Sequence, residues 1–191
     1  MKKQHFLLIL SLLFCLACEK NDDDDNGSEP MEEVNPYQDC CTGEVNFSFF
    51  GQNIFIPNAF SPNLDGINDL FRIEAGPADN PTSAASIKSF EVSDTDGNTI
   101  MRMDENIPPI QGFLGWDGAN VDSTFVYGLF QYEIVLTSAS NRTQTYSGFV
   151  CSMECGDEKL DIGDVNPCIF PSQHDGEGRV NPQLSSFEEC L

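Results

Sequence analysis

The chain has 191 residues and carries 9 Lys+Arg against 31 Asp+Glu, a formal net charge of −22. That balance excludes a sequence-independent nucleic-acid binder, which needs a basic face for phosphates, and gives no electrostatic pull toward anionic lipid. A hydrophobic content of 40% with 15 Phe permits a packed core of one ordinary domain with tails.

Met1-Lys2-Lys3 is a basic start, and Phe6 to Ala17 is an almost wholly apolar run too short to span a bilayer. Residues 1–17 are therefore predicted to be a signal peptide. The run ends Cys15-Leu16-Ala17-Cys18, and a small residue before a cysteine resembles a bacterial lipobox. The resemblance implies that Cys18 is lipidated and becomes the new N-terminus. The competing reading is an ordinary secretory signal cut nearby. Several acyl chains would make a stable membrane anchor.

Residues 18–36 show no apolar periodicity and contain Asp22-Asp23-Asp24-Asp25 followed by Asn, Gly, Ser, Glu and Pro. Such a stretch buries too little to order itself, so a disordered acidic tether is expected. An acidic run just behind the cysteine also resembles the surface-export signal of lipoproteins in the Bacteroidetes. A solvated spacer with no address is the alternative.

Residues 37–155 read as all-β. Val45 to Phe49, Asn53 to Ile56 and Leu70 to Ile73 are short runs rich in aromatic or β-branched residues. Between them, Asn63, Asp65, Asn68 and Asp69 gather side-chain oxygens around Gly66. Hard calcium favours such oxygens, so these four are candidate Ca2+ ligands. The alternative is an Asx turn in which the same side chains cap backbone N–H groups. Phe90 and Val92 alternate with polar neighbours, Asp96-Gly97-Asn98 supplies a turn, and Thr99, Met101 and Met103 suit the returning strand. Trp116 sits in Gly115-Trp116-Asp117-Gly118 and reads as a core or turn-packing aromatic. Asp122-Ser123-Thr124 resembles a short O-glycosylation sequence of Bacteroidetes, with an ordinary exposed loop as the alternative. Phe130, Tyr132, Ile134 and Leu136 alternate with Gln131, Glu133, Val135 and Thr137, the period of a half-buried strand. Thr145 to Cys151 is the last such run. Short strands at this spacing predict a β-sandwich.

Eight cysteines are present. With Cys15 in the leader and Cys18 taken by lipid, Cys40, Cys41, Cys151, Cys155, Cys168 and Cys190 remain. An even set in an exported chain predicts disulfides, and the spacings lack the paired knuckles of a zinc site. Cys40 and Cys41 precede the first strand and Cys151 and Cys155 follow the last, so these pairs are expected to staple the domain's ends. Cys168–Cys190 is expected to close the tail, residues 156–191, into a loop worth roughly 3 kcal/mol. The polar loop from Gln173 to Gly178 reads first as a solvated turn.

The block Ile56-Pro57-Asn58-Ala59-Phe60-Ser61-Pro62-Asn63-Leu64-Asp65-Gly66-Ile67-Asn68-Asp69-Leu70-Phe71-Arg72-Ile73 closely resembles the opening of the gliding-motility-associated C-terminal domain of Bacteroidetes. Trp116-Asp117-Gly118, Gly128-Leu129-Phe130-Gln131-Tyr132 and Gly148-Phe149-Val150 resemble its later landmarks in the same order. The resemblance spans about residues 53 to 152. It implies an immunoglobulin-like β-sandwich and a link to type 9 secretion, for which the domain often serves as a sorting signal. Two departures stand out. Asp94-Thr95-Asp96-Gly97 occupies the place of the family's usual Asn-Arg-Trp-Gly, and about forty residues follow a domain that normally ends its protein.

No nucleophile elbow, phosphate loop or zinc motif is present. Of the two histidines, His5 lies in the leader, so His174 alone is left and multi-histidine metal sites are excluded. The expectation is a non-catalytic, surface-exposed outer-membrane lipoprotein, held to the membrane by lipid and working as an accessory subunit of an outer-membrane protein complex. Export, barrel assembly, uptake and gliding machinery are the candidates. An adhesin or glycan-binding module and a type 9 secretion cargo are the alternatives.

Overall fold

Alternation of large apolar and polar side chains drives this chain into two sheets that share one core. In the computed structural model, residues 36–104, 110, 115–154, 168–181, 183 and 184 are described. The expected signal peptide, Cys18, the acidic run Asp22 to Asp25, Cys155 and Cys190 lie outside these residues.

Eight strands follow in order: β1 (Asn46–Phe49), β2 (Gln52–Phe55), β3 (Ala59–Phe60), β4 (Glu74–Ala75), β5 (Ser86–Ser93), β6 (Thr99–Met103), β7 (Gly128–Thr137) and β8 (Thr143–Ser152). One sheet has the order β1-β2-β4 and the other β3-β8-β7-β5-β6. The pairings are antiparallel except β3 with β8, which run parallel with Ala59 opposite Cys151. This is the all-β, immunoglobulin-like sandwich expected from the sequence.

The period-2 pattern does its work in β7, where Phe130, Tyr132, Ile134 and Leu136 turn inward and are buried. They meet Phe90 and Val92 of β5, Tyr146 and Val150 of β8, and Phe49 and Ile54 of the smaller sheet. Trp116 is 2% exposed and its indole N–H donates to Ala119 O at 2.8 Å, which satisfies the polar edge of a buried ring. Its ring lies 5.0 Å from Phe130 and 5.2 Å from Phe60.

The run Leu70 to Ile73 behaves differently from the strand expected there. It contributes one bridge, Phe71 to Trp116, and regular pairing with β2 begins only at Glu74. Gly115, at φ +88°, permits this bridge, because a Cβ there would strike the Phe71 carbonyl.

The disulfides correct the expected connectivity. Cys40 bonds Cys151 and Cys41 bonds Cys168, with Cα separations of 5.7 and 4.6 Å. Cys41 is thus not joined to Cys155, nor Cys168 to Cys190. The physical reason is edge pairing. The amides of Asn58, just before β3, and of Ala59 on β3 both donate to Ile169 O, at 3.1 and 3.3 Å, and this contact carries Cys168 to Cys41. The segment 168–181 is consequently packed onto the sandwich. Val34–Leu191 forms one compact unit that includes it.

Candidate functional site: the 61–72 loop and the segment that closes it

Between β3 and β4 the chain makes a tight polar loop, and the Asp69 carboxylate organises it. Asp69 Oδ1 accepts the N–H groups of Asn63 (3.1 Å) and Leu64 (2.6 Å), and Oδ2 accepts that of Gly66 (2.7 Å). Asn63 Oδ1 accepts from Asp65 N at 3.0 Å, and Asp65 Oδ1 from Ile67 N at 2.7 Å. Asp65 Oδ2 takes the Asn63 side-chain amide at 3.0 Å. These are the bonds of stacked Asx turns, and they hold Leu64 and Asn68 at positive φ (66° and 55°).

Asn68 reaches outward instead. Its Oδ1 accepts the Ser172 N–H at 2.9 Å, 104 residues along the chain. All four side chains proposed as calcium ligands therefore accept hydrogen bonds, three of them within the loop and Asn68 across to the closing segment. The geometry supports the Asx-turn reading. No group of three His, Cys, Asp or Glu among the described residues is placed to hold a metal ion.

A cleft of about 430 Å³ opens between this loop and the closing segment, lined by Ile67, Asn68, Leu70, Arg72, Pro171 and Ser172 among others. Arg72 Nε lies 2.8 Å from Glu74 Oε1, an ion pair whose angle falls short of a hydrogen bond. The rim carries exposed apolar side chains, Leu64 at 76% and Ile67 at 38%. A rigid loop that presents apolar groups beside a guanidinium suits docking, since little conformational freedom is left to lose.

The closing segment makes further contacts. Phe170 is fully buried with Tyr37, Met153 and both disulfides, and a 3₁₀ turn follows at Pro171–Gln173. His174 stacks on Phe55 with ring centroids 6.3 Å apart, and its Nε2 lies 4.0 Å from Glu74. Asp175 orders the polar loop that follows. Partial desolvation opposes ionisation of its carboxyl, but N–H bonds from Glu177 and Arg179 outweigh it and hold the group below its ordinary value. A tail too short for its own core is expected to fold against the sandwich or a partner, but Ile169, Phe170 and Val180 are too few to form a periodic stripe that would say where. Ser123 is exposed at φ 60° in a turn capped by Asn120, with nothing to distinguish it from an ordinary loop.

No curated protein matches the sequence. A family model does, that of the CHU_C type IX secretion signal domain, over residues 54–151, just over half of the chain. The matched stretch runs from Ile54 within β2 to Cys151 in β8 and takes in the whole 61–72 loop. The sandwich, its loop and this match agree, and the chain belongs to the type IX secretion signal domain family.

Proposed function

We propose that this protein is a surface-exposed outer-membrane lipoprotein in which the signal-type sandwich has become a resident, non-catalytic docking module of an outer-membrane assembly. One observation carries the reading. The end of β8 is not a free terminus: Cys151 is bonded to Cys40, and the chain returns through Cys168 to cover the edge of β3. An address read by passing machinery needs an accessible end, whereas a covered and cross-linked end makes a fixed surface. Cys18 supplies the lipid anchor and Asp22 to Asp25 the export signal in this reading.

The family match favours a second reading, in which the domain is a type 9 sorting signal and the protein its cargo. Two experiments separate them, one on the full chain and one on residues 37–191. Cys18→Ala should abolish fatty-acid labelling and release the protein from the membrane fraction; retained labelling would overturn the anchor. Residues 37–191 fused behind a passenger with its own signal peptide should stay cell-associated. Release of that passenger in a type 9-dependent manner would replace the docking reading with cargo.

A further inference from the structure

The two disulfides leave from adjacent cysteines but differ in what they hold and in how they meet solvent. Cys40–Cys151 ties the start of the domain to β8, with Cys40 at 6% and Cys151 at 0% exposure. Cys41–Cys168 ties it to the segment 168–181, and Cys168 is half-buried where Cys41 is covered. The Cys41–Cys168 pair is therefore the more open of the two to a thiolate, while the Cys40–Cys151 pair is shielded.

Besides this bond, packing and hydrogen bonds hold the segment, among them His174 stacked on Phe55 and Gly178 seated against Gly76. Phe170 and Pro171 are its buried apolar side chains, and Gln173 is buried with them. Its polar contacts include Ile169 O with the Asn58 and Ala59 amides, Ile169 N to Asn58 Oδ1 at 2.7 Å, Ser172 N to Asn68, Asn53 Nδ2 to Glu177 O at 3.1 Å, and Val180 N to Asn46 Oδ1 at 2.8 Å. The sandwich does not depend on it: β5, β7 and β8 pair along their length and Cys40–Cys151 still closes the ends.

We infer that residues 168–181 form a redox-releasable strap, locked by Cys41–Cys168, whose release bares the outer edge of β3. The inference does not depend on the proposed function. A dithiol supplies the electrons. One thiolate attacks the Cys168 sulfur, the Cys41–Cys168 bond breaks, and Cys41 leaves as a thiolate that takes up a proton. The second thiolate of the reagent then attacks the mixed disulfide. Cys168 is freed as a thiol and the dithiol becomes a disulfide, two electrons having passed. The Asn58 and Ala59 amides lose their acceptor, and β3 offers unpaired backbone groups to an incoming strand.

The test titrates the full chain with dithiothreitol, maps opened cysteines by alkylation and mass spectrometry, and follows amide exchange. Cys41 and Cys168 should be alkylated at reductant levels that leave Cys40 and Cys151 intact. The amides of Asn58, Ala59 and Val180 should then exchange about tenfold faster or more, while those of β7 keep their protection. Cys168→Ser should reproduce that exchange pattern without reductant. Opening of both disulfides together, or unchanged protection of Asn58 and Ala59 once Cys41–Cys168 is open, would overturn the inference.

Discussion

Gly76 and Gly178 meet backbone to backbone, one at the end of β4 and the other in the closing segment. A Cβ on Gly178 would collide with Gly76 N and the Asn53 carbonyl, and one on Gly76 with the Glu177 carbonyl. Neither neighbour is a side chain that can swing aside.

Gly178 also lies at φ +71°. Gly178→Ala is therefore expected to cost about 2–4 kcal/mol from left-handed strain and backbone collision together. For a domain of this size that is a fall in melting temperature of about 5–12 °C. A thermal melt within a degree of the native protein would mean that the segment is not seated on β4 as described.

Asp69→Ala removes the acceptor of three loop amides. The loop is exposed, so water replaces part of what is lost, and a cost of about 1–2 kcal/mol is expected. Since these oxygens bind amides, a chelator should leave the native melting curve unchanged. A drop in melting temperature on adding EDTA, reversed by calcium, would restore the cation reading for Asn63, Asp65, Asn68 and Asp69.

Tyr146 joins the two sheets through its hydroxyl, which donates to Ser48 O at 2.8 Å. Tyr146→Phe should cost about 0.5–1.5 kcal/mol. Burial pushes this phenol up to about 12 from 10.0. A raised value means that its contribution is intact below pH 10 and declines as pH rises toward 12. Denaturant titrations across that window should fall less steeply for the Phe variant. Tyr132, raised first by burial and then by Glu44, accounts for part of the fall that remains.

At the β5–β6 turn Asp94 is held below its ordinary 3.8, first by the Asn98 side-chain amide and next by the Asn98 N–H. A lowered value means that its contribution is present above pH 3.8 and disappears as pH falls through the folded value. Asp94→Asn should remove that part of the acid dependence, seen as faster exchange of the Asn98 amide already at neutral pH. An exchange rate that follows the native protein down to pH 3 would show that the carboxylate does not organise the turn.

The sandwich was legible because β7 alternates over many residues, and Phe130 to Leu136 announces its inward face without help from the rest of the chain. The Asx turn was legible in part, since Asn63 to Asp69 could be read as ligand set or as caps. Cys168 could not be paired from sequence. Its partner depends on the Ile169 contact with β3, a relationship between residues more than a hundred positions apart that leaves no periodic trace. Leu70 to Ile73 looked like a strand because Phe71 and Ile73 are core residues, yet core position and ladder pairing are separate demands.

The parallel pairing of β3 with β8 also sets a schedule. Ala59 stands opposite Cys151, Cys151 N donates to Asn58 O, and Ile169 covers the other flank. A chain delivered from its N-terminus presents β3 early and holds it without its partner strand until its last third arrives. Closure must wait for nearly the whole sequence, and long-range pairing of this kind is slow to form. Phe49, Phe55 and Phe60, wholly buried in the finished fold, are not fully covered until then, and apolar surface open for that long favours aggregation.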